Sequence, residues 1–142
     1  MTKTARSVAL LLMAVLAAVP AMAQKSADEK PVGDTSRELE LGRAYTKDFY
    51  RGELNKLYAK FSPQFQESMT LEELRTFRHN VSSQFGVERE VISEKIIPKG
   101  AFLIYVRRSR FAKYDGAVEL IVALRGSRLI AGMTMKPVED DG

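Results

Sequence analysis

Apolar side chains recur at helical spacing through the first half of the chain. Between the turn residue Gly52 and the dipeptide at 62–63, the positions i, i+3, i+4 and i+7 of one helix face are taken by Leu54, Leu57, Tyr58 and Phe61. Similar faces precede and follow this run. The pattern predicts three amphipathic helices, over residues 36–51, 54–61 and 71–85.

Turn and capping signals mark the ends of these helices. A hydroxyl followed three residues later by a carboxylate is the spacing of a capping box, and it occurs at Thr35 and again at Thr70. Glycines at 52 and 86 are typical helix stops. Pro63 predicts a short helical turn between the second and third helices, because the first helical position needs no amide hydrogen.

After residue 86 the periodicity changes from helical to alternating. β-branched and aromatic residues predict four strands, over residues 87–97, 101–110, 117–124 and 129–136. The turns between them are predicted at 98–100, at Asp115-Gly116 and at 125–128. This order indicates an α+β domain with three N-terminal helices packed on one face of a curved four-stranded antiparallel sheet.

The N-terminus has the layout of a secretory signal peptide. In MTKTARSVALLLMAVLAAVPAMAQ, Lys3 and Arg6 precede a short apolar run, and cleavage is expected after Ala23. We therefore expect a signal peptide at 1–23, a flexible lead-in at 24–34, one domain at 35–138 and a tail at 139–142. The mature protein would be exported, either periplasmic or extracellular.

Composition excludes several functional classes. The chain has no cysteine, which rules out disulfides, cysteine nucleophiles and thiolate metal sites. The 22 basic and 18 acidic residues give a net charge of +4, and loss of Lys3 and Arg6 with the signal peptide leaves about +2. We expect no nucleic-acid partner and no membrane contact after cleavage.

Metal and cofactor sites lack a suitable ligand set. His79 is the only histidine, and its place beside Phe77 and Val81 indicates an exposed helix position rather than a general base or ligand. Histidine pairs at helical spacing and calcium-loop patterns do not occur. No metal and no cofactor are expected.

Charged residues in the second half have two interpretations each. Glu88, Glu90 and Glu94 share a face if the first strand is regular, where they form the solvated face of an edge strand. Alternatively, one of them or Glu119 serves as a catalytic base. The basic group Arg107, Arg108, Arg110 and Lys113 could bind an anion such as a carboxylate polymer or a lipid phosphate, or pair with glutamates across the sheet.

Tyrosines are the polar groups expected in any pocket between helices and sheet, because a buried hydroxyl needs a partner. The predicted ligand-binding pocket consists of Tyr45, Tyr58, Tyr105 and Glu94.

Four segments carry a resemblance to a known family. ELNKLYAKFSPQFQESMTLEELRTFRHNV, GVEREVISEK, VRRSRFAKYDGAVEL and LIAGMTMKP resemble exported bacterial DUF-type domains of uncharacterised function. The resemblance covers most of residues 44–137, and its most specific parts are the F-S-P-x-F step at 61–65 and the IAG segment at 130–132. It implies a nuclear-transport-factor-2-like (cystatin-like) cone fold, often found in front of serine hydrolase or β-lactamase-like domains. No Ser-x-x-Lys or Gly-x-Ser-x-Gly nucleophile motif occurs in this chain.

The last two strands are apolar on both faces, although only one face can cover the helices. The second face is predicted to be an interface made by Ala117, Glu119, Ile121, Ala123 and Arg107. Cone folds of the kind the resemblance implies commonly dimerise through the sheet. The favoured function is a non-catalytic exported binding module, a homodimer that holds a small apolar ligand or docks on an envelope protein. The alternative is a small isomerase or lyase with a pocket carboxylate as base.

Overall fold

The computed structural model describes residues 34–126 and 128–138. The predicted signal peptide, nearly all of the lead-in and the tail lie outside the described residues. The described part contains four helical segments: α1 (Ser36–Arg51), α2 (Leu54–Tyr58), α3 (Pro63–Ser68) and α4 (Leu71–Phe85).

The predicted capping signals are used in most but not all cases. The capping box at the start of α4 is present, with Thr70 and Glu73 bonded reciprocally, and Ser62 caps α3. At the start of α1 the predicted box does not form, since the Thr35 side chain makes no capping bond; the Asp34 carboxylate accepts a hydrogen bond from the Ser36 amide at 3.0 Å. Gly52 ends α1 in the left-handed conformation, with φ of 78°.

Helix α2 is shorter than predicted because the chain after it pairs with the sheet. The Ser62 amide donates to the Ile130 carbonyl at 2.8 Å, and the Ile130 amide donates to the Lys60 carbonyl at 2.8 Å. These bonds form a parallel bridge between Phe61 and Ile130. The extended step at residues 60–62 therefore separates α2 from α3, which is the short helical turn predicted at Pro63.

The sheet is an antiparallel meander of four strands in the order β1-β2-β3-β4. Its strands are β1 (Glu88–Lys99), β2 (Phe102–Phe111), β3 (Tyr114–Arg125) and β4 (Leu129–Pro137). The predicted α+β class and four-stranded antiparallel sheet are confirmed.

The turn between β2 and β3 lies three residues earlier than predicted. Phe111 pairs with Tyr114, so residues 112–113 form the turn, and Asp115-Gly116 lies inside β3. The amides of this turn are held by the chain entering β1: Ala112 donates to the Val87 carbonyl at 2.9 Å and Lys113 to the Phe85 carbonyl at 2.8 Å. Long-range bonds thus decide the position of the turn.

The two faces of the sheet differ in what packs on them. The inner face lies against the helices, and the main core joins helical and strand residues, among them Phe49, Leu57, Leu74, Phe77, Tyr105, Phe111, Val118, Leu120 and Val122. On the outer face a second cluster is built by Phe102, Ile104, Val106 and Ala123, with Ile97, Ile121 and Ala131 beside them. This outer cluster contains strand residues only.

None of the helices in the described ranges is both long enough and apolar enough to cross a membrane.

Candidate functional site

The densest group of charged and hydroxyl side chains lies on the inner face, where β1 and β2 pass beside α1. We call it the Arg107 cluster, and its members are Arg43, Glu88, Glu94, Tyr105, Arg107 and Ser109. Arg107 is its centre. The guanidinium donates from Nε to Glu88 Oε2 at 2.8 Å and from Nη2 to Glu88 Oε1 at 2.7 Å, a bidentate geometry with high directional strength.

Glu94 is held from three sides. It accepts hydrogen bonds from the Tyr105 hydroxyl at 2.5 Å, from Arg107 Nη1 at 3.2 Å and from Arg43 Nε at 3.0 and 3.1 Å. Arg43 is more than half exposed, whereas the side chains of Glu94 and Arg107 are 15% and 14% exposed. The cluster is therefore largely buried, with Arg43 over its solvent side.

Two irregularities in β1 place these carboxylates. The pairing of β1 with β2 shifts between Glu88 and Glu90 and again between Val91 and Ser93, which is the signature of β-bulges. Glu88 and Glu94 consequently reach the inner face, while Glu90 pairs with Arg110. The three glutamates were expected to share one face only if β1 were regular, and the two bulges show that it is not.

Tyr105 is positioned by a glycine on α1. A Cβ built on Gly42 would lie 2.2 Å from Cδ1 of the Tyr105 ring, so only glycine lets the ring pack this close to the helix. The ring is fully buried. Its hydroxyl reaches both Glu94 and Arg107, the latter at 3.2 Å.

The electrostatics of the cluster favour ionised carboxylates. Burial raises the pKa of Glu88, but the hydrogen bonds from Arg107 and Ser109 and the charge of Arg107 outweigh it and leave the pKa below its ordinary value. Burial also raises the pKa of Glu94, and the bonds from Tyr105 and Arg43 with two guanidinium charges again outweigh it.

The hydroxyl and guanidinium groups shift in the complementary direction. Burial, followed by the hydrogen bond to Glu94, raises the pKa of Tyr105 to about 12. The hydrogen bond with Glu88 is the largest influence raising the pKa of Arg107. Neutral tyrosine, two carboxylates and two guanidinium groups therefore persist together across a wide range around neutral pH.

Chemically, this arrangement is a closed ion network. Each carboxylate oxygen faces at least one donor, and the Tyr105 proton is already shared with Glu94. A general base needs a pKa near the working pH, and the lowered pKa of Glu94 moves it away from that range. The network suits the anchoring of β1 and α1 to β2.

The structure brings together two of the four predicted pocket residues. Tyr105 and Glu94 are hydrogen-bonded partners, as above. Tyr45 instead donates to the Arg128 carbonyl at 2.7 Å, and Tyr58 donates to the Met69 carbonyl at 2.9 Å. These two hydroxyls hold chain turns near the helices and take no part in the cluster.

The predicted interface residues divide between the two faces. Ala117, Glu119, Ile121 and Ala123 belong to the alternating positions of β3 that face outward, opposite Val118, Leu120 and Val122 in the main core. Arg107 lies on the inner face, so its assignment to this interface is wrong. Its neighbour Arg108 lies on the outer face and donates to Glu119 Oε2 at 2.8 Å.

Sequence reasoning missed Arg43 and Ser109 as members of the cluster. Ser109 donates to Glu88 Oε2 at 2.6 Å. Its position two residues after Arg107 was the available signal, because alternate strand residues share a face. Arg43 offered no local signal beyond its place on the polar side of α1.

His79 is exposed, as predicted. Within the described ranges, no group of three or more His, Cys, Asp or Glu side chains is arranged to hold a metal ion.

No protein-family model, no curated protein and no solved structure matches this chain.

Proposed function

We propose that this protein is an exported, non-catalytic interaction module that pairs with a second copy through the outer face of its sheet. One observation carries the pairing: the outer apolar cluster is built from strand residues alone. Antiparallel sheets with one free face normally alternate apolar and polar residues, with the polar side in water. The outer face instead carries Phe102, Ile104 and Val106, which are 6–8% exposed. The partly exposed Ile97, Ile121 and Ala131 beside them are the apolar side chains that a second layer would cover.

Charges on the outer face fit a symmetric pairing. Arg108 and Glu119 are neighbours across β2 and β3, and the Arg108 side chain is 40% exposed. In a two-fold interface the same patch meets itself, so Arg108 of one copy can face Glu119 of the other. Such a pattern is self-complementary and favours a homodimer over a heterologous partner.

The non-catalytic part of the proposal is supported by the pairing of every carboxylate that was a candidate base. Glu88 and Glu94 are bound in the Arg107 cluster, Glu119 is paired with Arg108, and Glu90 lies 3.9 Å from Arg110. None of them lies in an apolar pocket without a cation, the environment that raises a carboxyl pKa for catalysis.

A small isomerase or lyase is the second candidate, and one contact favours it. Tyr105 is within hydrogen-bonding distance of Glu94, the pairing that an enolate-forming site would use. In this geometry, however, Tyr105 donates to the carboxylate that would serve as the base, and Arg43 and Arg107 occupy that carboxylate as well. The arrangement supports an anchor better than a proton acceptor.

The nuclear-transport-factor-2-like cone belongs to the same proposal. Helices on one face of a four-stranded antiparallel meander support it, together with the segments that resemble the exported bacterial family. Export is supported by the basic, apolar and small-residue pattern of the first 23 residues.

The test is native mass spectrometry of the protein recovered without refolding from the envelope fraction of the producing cell. Wild type should appear as a dimer of a chain that begins at Gln24, with no retained small molecule. Ile121→Glu places a charge in the outer cluster and should yield monomers with an unchanged far-ultraviolet circular dichroism spectrum. Val91→Glu is the matched control, an aliphatic-to-acid change on β1, and should leave the dimer intact.

Other outcomes would redirect the interpretation. A wild-type monomer, or an Ile121→Glu variant that stays dimeric, contradicts pairing through the outer face. A reproducible extra mass that leaves on denaturation would favour a ligand carrier or enzyme.

A further inference from the structure

The exposed apolar side chains of the described chain are concentrated at the start of β1. Three large aliphatic residues are exposed, Val87 at 70% and Val91 and Ile92 at 42% each, and all lie within six residues of one another. We call this segment, residues 87–92, the β1 ridge. It is separate from the outer cluster, whose core residues are buried.

Cationic side chains flank the ridge. Arg89 lies within it and is exposed, and the exposed Lys113 lies beside its start, since the Ala112 amide bonds the Val87 carbonyl. Arg110 pairs in register with Glu90 and is 55% exposed. Within the described ranges, neither Arg89 nor Lys113 forms an ion pair, and the Arg110–Glu90 contact is loose at 3.9 Å. The acidic groups nearby are Glu90 and the exposed Asp115.

The sequence left open whether the basic group of β2 and its turn binds an anion, and the structure divides that group. Arg107 forms ion pairs with Glu88 and Glu94, and Arg108 forms one with Glu119. Arg110 and Lys113 remain at the surface, at the end of the sheet where the β1 ridge lies. Arg89 lies within the ridge itself, so three exposed cations and three exposed aliphatic side chains occupy the same end of the sheet.

We propose that the β1 ridge docks on the surface of an anionic phospholipid bilayer, with its aliphatic side chains at the headgroup boundary and its cations on lipid phosphates. A narrow apolar ridge rimmed by Lys and Arg is the combination that favours an interface between water and lipid. This goes beyond the self-pairing proposed above and departs from the expectation of no membrane contact. It does not require the outer face.

The backbone of β1 argues against strand addition as the alternative use of this edge. The two bulges interrupt the regular spacing of free amides and carbonyls that an added strand would need. Contact at the ridge is therefore made through side chains. A fluid bilayer can adapt to a few exposed side chains along one short segment, whereas a stable protein interface needs a broad complementary patch of about 800 Å² on each side.

The test is co-sedimentation with vesicles of phosphatidylglycerol and phosphatidylcholine, compared with pure phosphatidylcholine, using the protein as recovered from the producing cell. Every variant carries the same processed N-terminus, so differences between them arise in the domain. Wild type should bind the anionic vesicles, and binding should weaken as salt is raised. The Arg89→Gln/Lys113→Gln double variant should lose about 25-fold in apparent affinity, since each cation near an anionic surface contributes about fivefold.

The matched control removes the same charge at the far end of the sheet. Lys60 and Arg125 are exposed there, and the Lys60→Gln/Arg125→Gln double variant should bind within about twofold of wild type. A second pair, Val87→Ser/Ile92→Ser, tests the apolar contribution at exposed positions where folding is not at risk. This variant should lose about tenfold in apparent affinity for the anionic vesicles.

Three results would overturn the proposal. Equal binding to uncharged vesicles, or no binding to either kind, would exclude an anionic bilayer as the partner. If the ridge and far-end charge variants lost equal affinity for anionic vesicles, binding would depend on the net charge of the protein and not on the ridge. Loss of binding in the charge variant with none in the Val87→Ser/Ile92→Ser variant would show that the aliphatic side chains do not contact the bilayer, which contradicts docking through the ridge. Ile121→Glu, tested in parallel, separates this site from self-pairing, because it breaks the dimer while leaving the ridge intact.

Discussion

The ring of Tyr105 packs directly on the backbone of Gly42, with no room between them for a Cβ atom. This contact sets the distance between α1 and β2 at the point where the Tyr105 hydroxyl meets Glu94. It also links two otherwise separate features, a glycine inside a helix and a tyrosine hydroxyl on a strand. A glycine inside a helix lowers helix stability by about 1 kcal/mol relative to alanine. The close approach of the Tyr105 ring explains why glycine occupies position 42.

Gly42→Ala should destabilise the protein by a net amount of about 1 kcal/mol. Overpacking costs about 1–3 kcal/mol, and the gain in helix propensity offsets part of it. Urea unfolding followed by circular dichroism measures the change. A Tyr105→Leu background should reduce the penalty, because the overlapping ring is gone, and an unchanged midpoint for Gly42→Ala in the wild-type background would contradict the close packing.

Arg107→Met should cost about 3–5 kcal/mol in free energy of unfolding, because it leaves two largely buried carboxylates without their shared partner. Adding Glu88→Gln to that variant should restore part of the loss, which a double-mutant cycle measures. Arg108→Met is the control on the outer face. The Arg108 side chain is 40% exposed in its ion pair with Glu119, so this substitution should lower the free energy of unfolding by no more than about 1 kcal/mol.

Stability should fall as the pH drops below about 4.5, the ordinary glutamate pKa. The folded-state pKa values of Glu88 and Glu94 lie below that value, so the unfolded chain binds more protons in this range. The stabilisation is therefore complete above the unfolded pKa and is lost as the pH falls through the folded pKa values. Urea midpoints between pH 7 and pH 3 report it. In the Glu88→Gln/Glu94→Gln variant the urea midpoint should fall less steeply with decreasing pH. If it fell as steeply as in wild type, other titrating groups would be responsible for the loss of stability.

Arg78→Ala should destabilise the protein by about 1.5–3 kcal/mol, the range for hydrogen bonds to charged groups. Arg78 of α4 donates to the Phe49 carbonyl at 2.8 Å and to the Tyr50 carbonyl at 2.6 Å, so it caps the C-terminal end of α1. The exposed neighbour His79 provides the matched control, and His79→Ala should stay within about 0.5 kcal/mol. If the two substitutions lowered the thermal unfolding temperature equally, Arg78 would not act as a cap of α1.

Much of the secondary structure could be predicted because its signals are local. Thr70 and Glu73 define a helix start within four residues, and Ser62 with Pro63 defines α3 within two. The alternation of β3 correctly separated Val118 and Leu120 from Ala117 and Ile121. In each case the residues that determine the structure are neighbours in sequence.

The candidate site was only partly predictable. The sequence grouped Glu94 with Tyr105, which are hydrogen-bonded in the structure, but it also placed Tyr45 and Tyr58 with them. Those two hydroxyls donate to backbone carbonyls instead, Tyr45 to Arg128 in the turn between β3 and β4 and Tyr58 to Met69 after α3. A tyrosine pattern indicates that a partner is needed and does not identify the partner.

The sequence by itself determined the α+β class, the four strands and most helix ends, because hydrophobic periodicity and capping act over a few residues. Only the tertiary structure decided the bulges that separate Glu90 from Glu88 and Glu94, the turn at 112–113 and the partners of Arg107. Those features depend on the register between strands and on the approach of α1 to the sheet. Register is a property of two segments together, and a single bulge reverses the face of every residue beyond it.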